Sequence, residues 1–111
     1  MVSEADMAEL RSLCPDAKQA AEGGLRYVLL PNLKMPDGCS PSELDSLLCI
    51  DPRDNYSGRL FFSQVVTTRE SRNWHMQNVR ILERNWCAFS WQIPNGLRPM
   101  EILLTLLRAV R

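Results

Sequence analysis

The chain has 111 residues, of which 45% are apolar, and its 13 acidic side chains balance 13 Lys and Arg side chains. This length suits one domain with a single core, and a neutral chain gives no reason to expect nucleic-acid binding. No apolar run approaches the roughly 20 residues of a membrane span, and residues 1–6 are acidic without an apolar stretch. We therefore expect one cytoplasmic domain over residues 1–111, with no signal peptide and no membrane partner.

The charges are unevenly distributed along the chain. Residues 1–57 hold ten acidic and five basic side chains, whereas residues 58–111 hold three acidic and eight basic ones, all arginines. Such asymmetry could form a binding face for an acidic partner. Mutual neutralisation of the two halves across the folded surface is the simpler expectation.

The N-terminal part predicts two helices. Ser3 suits an N-cap, with Asp6 three residues later. The apolar residues that then recur at helical spacing are Met7, Leu10 and Leu13. Residues 17–22 predict a second, short helix that ends at Gly23-Gly24.

The middle of the chain predicts strands, because its apolar runs are rich in aromatic and β-branched residues. The predicted strands cover residues 26–30, 44–50, 60–66, 79–82 and 86–91. Residues 44–50 alternate little between apolar and polar, so both faces of this strand are expected to be covered. Arg84-Asn85 is expected to turn between the last two.

The clearest helix is predicted from Pro99 to Val110. Pro99 suits a first helical turn, and five apolar residues then line one face. They are Ile102, Leu103, Leu106, Leu107 and Val110. The element order predicts an α+β fold in which an antiparallel meander of about four strands packs against N- and C-terminal helices.

Four cysteines occur singly, at Cys14, Cys39, Cys49 and Cys87. None belongs to a Cys-x-x-Cys pair, and the chain has one histidine, His75. A zinc site needs closely spaced ligand pairs, and a disulfide framework is typical of secreted domains. We expect four separate thiols and no metal.

One run near the C-terminus carries a family resemblance. His75-Met76-Gln77-Asn78 is followed by Cys87 and then by Pro99 at the start of the apolar helix. This order resembles the ubiquitin-conjugating-enzyme superfamily, in particular its divergent bacterial branches, which carry a His-Pro-Asn motif, a catalytic cysteine and a proline-initiated helix. Residues 52–56 are similar, more weakly, to the proline-tyrosine loop of that family.

The resemblance implies a single domain that transfers a ubiquitin-like protein. Cys87 would accept the modifier's C-terminus as a thioester and pass it to an amine. Asn78 would donate a hydrogen bond to the oxyanion, and His75 would brace the loop. The implied partners are a ubiquitin-like protein and its activating enzyme, with no metal or organic cofactor.

Two alternatives remain open. The run lacks the proline of the His-Pro-Asn motif and has one extra residue, which favours a non-catalytic scaffold of the same fold that binds an activating enzyme, a ubiquitin-like protein or its own copies. A small, unrelated α+β binding domain is the other. For Cys87 itself, one strand over residues 86–91 would place it on a face with Phe89 and Trp91, as a core residue.

Overall fold

A computed structural model describes residues 2–69, 73–74 and 76–110. The elements in chain order are α1 (Glu4–Leu13), β1 (Lys18–Glu22), β2 (Leu25–Lys34), β3 (Glu43–Cys49), β4 (Arg59–Phe62), β5 (Met76–Ile81), β6 (Arg84–Ala88) and α2 (Pro99–Val110). Within this part of the chain, the strands form one antiparallel sheet in the order β1-β2-β3-β4-β6-β5. The sheet curls into a half-barrel.

The predicted architecture, about four strands against two helices as in ubiquitin-conjugating enzymes, is wrong. The described chain is mostly sheet and has six strands. One additional strand is β1, formed by residues predicted as a helix. The two strands beyond β4 were predicted, and they form the hairpin of β5 and β6. Because β6 rather than β5 is next to β4, and β5 lies at the sheet edge, the strand order is not that of a simple meander.

Strand β1 shows why the second helix was predicted wrongly. Its sequence, Lys-Gln-Ala-Ala-Glu, consists of residues with good helix propensity. The segment nevertheless pairs antiparallel with β2, from Lys18 opposite Leu29 to Glu22 opposite Leu25. Gly23 and Gly24, with φ of +60° and +79°, form the two-residue turn between the strands, a type I′ geometry that glycine adopts readily. Pairing with β2 therefore overrides the local propensity.

Both faces of the sheet carry a buried apolar cluster. The helix-side cluster joins α1 and α2 to the sheet and includes Leu48 and Phe62. The opposite-face cluster lies on the other side of the sheet, and its buried members are Tyr27, Leu47, Cys49, Phe61, Ile81, Trp86 and Ala88. Strand β3 contributes to both clusters, which confirms that its two faces are covered as its weak alternation indicated.

The two helices pack on the helix-side cluster. Ser3 caps α1 as predicted, since its Oγ accepts the Asp6 N–H at 3.1 Å. On α2, the predicted face is buried: Leu103, Leu106 and Leu107 are at most 8% exposed. Neither of the two described helices has the length and apolarity that a bilayer crossing requires.

Ion pairs join the acidic and basic halves of the chain. Arg98, which precedes α2, contacts the Glu9 carboxylate at 2.8 Å, and Arg84 contacts Asp45 at 3.2 Å. All four side chains are partly exposed, so each pair contributes at most about 1 kcal/mol. Their positions agree with the expectation that the two halves neutralise each other.

Candidate functional site

Cys87 lies in β6, opposite Phe62 of β4. Its sequence neighbours Trp86 and Ala88 belong to the opposite-face cluster. Because successive side chains of a strand point to opposite faces, the Cys87 side chain points to the helix side of the sheet. It is half-buried there, so the thiol is neither enclosed in the core nor fully exposed.

The predicted strand over residues 86–91 is too long. Strand β6 ends at Ala88. Phe89 is buried in the helix-side cluster, whereas Trp91 is 43% exposed. Cys87 is therefore not enclosed between Phe89 and Trp91 on one continuous strand face.

A bulge in β5 lies opposite Cys87 and contains Asn78. Met76 pairs with Ala88 and Val79 pairs with Trp86, so that Gln77 and Asn78 together face the single residue Cys87. This two-against-one arrangement is a β-bulge, which re-aims side chains and interrupts the ladder. Asn78 has φ +57° and is exposed, and asparagine adopts this left-handed conformation more readily than most residues.

The structure thus places two of the three predicted site residues together. Cys87 and Asn78 are neighbours across the ladder, whereas His75 lies outside the described residues. Sequence reasoning missed Gln77, the second residue of the bulge. The available signal was the extra residue in the His75-to-Asn78 run, because a bulge is an insertion of one residue into a ladder.

An aromatic group borders the helix side of this site. The rings of Phe62, Trp74 and Phe89 contact one another, with centroids 5.7–6.3 Å apart. Since Phe62 is the cross-strand neighbour of Cys87, the thiol has an apolar side toward the core. The Gln77 side-chain amide donates to the Trp74 carbonyl at 3.0 Å, and this bond holds the bulge against the aromatic group.

The other cysteines are less suited to nucleophilic chemistry. Cys14 and Cys49 are buried, and their thiols donate to the carbonyls of Pro31 and Asp51, each at 3.3 Å. Burial raises the pKa of both thiols, which lowers the fraction of nucleophilic thiolate. Cys39 is half-buried, as Cys87 is. All four cysteines remain as thiols, as predicted.

Arginine side chains contact the loop over residues 52–56. Arg59, only 3% exposed, contacts the Asp54 carboxylate at 3.1 Å and donates to the Phe89 carbonyl at 3.3 Å. Its guanidinium also lies 4.5 Å from the centroid of the Tyr56 ring. Asp54 offsets the charge of this buried arginine, so the cluster stabilises the loop next to Phe89.

Within the described residues, no three His, Cys, Asp or Glu side chains are grouped to hold a metal ion. No protein-family model, curated protein or solved structure matches the chain. A function for Cys87 and Asn78 therefore depends on the chemistry of this site and on the sequence resemblance.

Proposed function

We propose that the chain carries a ubiquitin-like protein as a thioester on Cys87 and transfers it to an amine. The observation that supports this most directly is the position of Cys87, half-exposed and opposite the bulge that carries Asn78. A carrier thiol must reach a protein C-terminus from solvent, and a fully buried cysteine would not. A ubiquitin-like protein is proposed as the modifier because the sequence from His75 to Pro99 resembles that of ubiquitin-conjugating enzymes.

The reaction consists of two acyl transfers. The Cys87 thiolate attacks the carbonyl carbon of the modifier's thioester on the activating enzyme, and the thiolate of that enzyme leaves. An amine then attacks the Cys87 thioester, the Cys87 thiolate leaves, and the amine nitrogen releases its proton to solvent. Thioesters react readily with amines, so neither transfer needs a cofactor on this chain.

Asn78 would act on the tetrahedral intermediates. Its side-chain amide is a donor of two N–H groups, and its position opposite Cys87 supports a role beside the reacting carbonyl. Donation to the oxyanion would stabilise both intermediates. Because Asn78 is exposed, its side chain can reorient toward an incoming acyl group without opening the core.

This proposal does not depend on the predicted four-strand arrangement, which the structure contradicts. It depends on a reachable thiol, a nearby amide donor and a partner that delivers an activated C-terminus. The proposal is supported by the positions of Cys87 and Asn78 on adjacent strands, β6 and β5, which are joined in one hairpin.

The first test is adduct formation with the activating enzyme, ATP and the ubiquitin-like protein. Wild-type chain should gain an adduct that reductant removes. Cys87→Ser should give a reductant-resistant oxyester or no adduct, because an alcohol is a poorer nucleophile. Cys39→Ser is the matched control, since Cys39 is also half-buried, and it should load normally. Loading that survives unchanged in Cys87→Ala would refute the proposal.

The second test separates the amide from the backbone conformation. Asn78→Gly removes the amide and accepts φ +57° without strain, so it should still load but should slow both steps, with transfer to the amine about a hundredfold slower. Asn32→Gly is the matched control, because Asn32 is also exposed with a positive φ of +51° but lies in β2, which is not adjacent to β6. Equal transfer rates for Asn78→Gly and wild type would exclude the oxyanion role.

A non-catalytic binding role is favoured by one observation, the packing of Cys87 beside the buried Phe62. In this case the chain binds the activating enzyme or the ubiquitin-like protein without forming a thioester. Binding measured by calorimetry should then be unchanged in Cys87→Ala, and no adduct should form on the wild-type chain.

A further inference from the structure

Strand β1 is an edge strand whose outward hydrogen-bonding groups can be assigned. The two-residue turn makes Glu22 and Leu25 a hydrogen-bonded pair, so the next pair, Ala21 and Arg26, is not hydrogen-bonded. Arg26 confirms this alternation, because its N–H donates to Asp51 at 2.7 Å and its carbonyl accepts the Ile50 N–H at 3.2 Å. The backbone groups of Gln19 and Ala21 therefore point away from β2.

The sequence of β1 is complementary to itself when it is read in the antiparallel direction. With Ala20 on a two-fold axis, Gln19 lies opposite Ala21 of a second copy, and Lys18 lies opposite Glu22 of that copy. The backbone groups of Gln19 and Ala21 point outward. The two symmetry-related pairs of Gln19 with Ala21 each exchange two backbone hydrogen bonds, so this register gives four. The pairs of Lys18 with Glu22 fall at non-hydrogen-bonded positions, where side chains come closest.

The surroundings of β1 suit an added strand. Lys18, Gln19, Ala21 and Glu22 are exposed, and Ala20 packs at the margin of the opposite-face cluster. An open cleft of about 310 Å³ runs along this edge, and the residues that line it are Val2, Gln19, Ala20, Ala21 and Arg26. Among the described residues, no carboxylate lies within ion-pair distance of Lys18, so its charge is available to a partner.

We propose that β1 pairs antiparallel with β1 of a second copy of this chain, which joins the two sheets around a two-fold axis at Ala20. The interface is isologous, so each Lys18 contacts Glu22 of the other copy and the contact occurs twice. A strand of five residues buries little area, and the dimer is accordingly weak. Edge pairing of this kind also covers backbone groups that would otherwise attract other strands.

Charge reversal tests the register. Sedimentation from about 1 µM to about 1 mM covers weak association and should show reversible dimerisation of the wild-type chain. Lys18→Glu places two glutamates opposite each other at both ends of the interface. It should weaken dimerisation at least about tenfold, since it replaces attraction by repulsion in two pairs.

The complementary charge-reversal variant is Glu22→Lys. It places lysines opposite each other and should also be monomeric. An equimolar mixture of Lys18→Glu and Glu22→Lys should recover a heterodimer, because every facing pair is then of opposite charge. Glu22→Lys also removes the acceptor of the Leu82 N–H, so its folding is checked by circular dichroism. If this variant does not fold, the variants Lys18→Glu and Ala21→Pro decide the question.

Ala21→Pro tests the backbone contribution. Proline at this position removes an outward N–H and leaves the ladder with β2 intact, so the variant should fold and remain monomeric. Three results would overturn the proposal: a monomeric wild-type chain at about 1 mM, a Lys18→Glu variant that dimerises as the wild type does, or an Ala21→Pro variant that folds and still dimerises. Cys87→Ser should dimerise normally, so failure of the thioester proposal would not affect this result.

Discussion

Glu22 accepts the backbone N–H of Leu82 through both carboxylate oxygens, each at 3.2 Å, although 60 residues separate them in the chain. Glu22 ends β1, and Leu82 lies in the turn between β5 and β6, so this contact ties one edge strand of the half-barrel to the hairpin at the other edge. The turn itself consists of Leu82 and Glu83, with φ of +52° and +64°. This geometry normally favours Asn-Gly, and the Glu22 contact helps to hold it with two residues that disfavour it.

Replacing the second turn residue should therefore stabilise the protein. Glu83→Gly relieves the cost of a left-handed conformation and should raise the free energy of unfolding by about 1 kcal/mol. Glu83→Ala removes the same carboxylate but keeps a Cβ, so it should give no such gain. Urea unfolding of the three proteins measures the difference. A Glu83→Gly protein that is less stable than Glu83→Ala would contradict this account of the turn.

The sequence predicted the elements whose pattern is local. Helix α2 was predicted with the observed bounds, because its apolar residues recur at the helical period and Pro99 marks its start. Strand β1 was not predicted, because its own residues favour a helix and only the pairing with β2 makes it a strand. The turn at Leu82-Glu83 was predicted two residues too late, since neither residue is a usual turn former. The sixth strand was missed because β1 was predicted as a helix, whereas the displaced turn changed only the bounds of β5 and β6.

The candidate site was predicted only in part. Cys87 and Asn78 were chosen from a resemblance, and a separation of nine positions in the sequence does not specify a distance in space. They become cross-strand neighbours because the turn at Leu82-Glu83 returns the chain antiparallel in the register that pairs Val79 with Trp86, and the bulge then places Gln77 as a second residue opposite Cys87. Without that bulge, the residues beyond it would face different partners on β6.

A buried and an exposed leucine on α2 test the helix-side cluster. Leu106 is 2% exposed and Leu104 is 37% exposed. Leu106→Asp would place a carboxylate in the core and should cost several kcal/mol, on the order of half the stability of a small domain. Leu104→Asp should change the free energy of unfolding by less than about 1 kcal/mol. Similar thermal unfolding midpoints for the two variants would show that this face of α2 is not buried.

The Arg26–Asp51 pair predicts a pH dependence of stability. Arg26 donates to Asp51 from its guanidinium at 2.8 Å and from its backbone N–H at 2.7 Å, and these bonds hold the pKa of the carboxyl below its ordinary value. A lowered pKa in the folded state stabilises the protein above the ordinary carboxyl pKa, near 4, and that contribution is lost as the pH falls through the lowered value.

Asp51→Asn should therefore lower the free energy of unfolding by about 1 kcal/mol at pH 7, a modest cost because both side chains are partly exposed. The difference from wild type should vanish in acid. Asp37→Asn, which also replaces a carboxyl by an amide at an exposed position, is the matched control. Urea unfolding between about pH 2 and pH 7 covers the range of interest. If the difference in free energy of unfolding between wild type and Asp51→Asn grew toward low pH, the stabilising role of the Arg26–Asp51 pair would be contradicted.

Thiol reactivity provides the most direct test of the site. Cys39 and Cys87 are half-buried, whereas Cys14 and Cys49 are buried and have raised pKa values. In the folded protein, iodoacetamide should therefore modify Cys39 and Cys87 first, as mass spectrometry of digested samples would show. All four should react in concentrated urea, and Cys87→Ala should remove one of the two fast sites. If Cys87 in the folded protein reacts as slowly as Cys14, no modifier C-terminus could reach it either. The thioester function would then be abandoned in favour of the non-catalytic binding role.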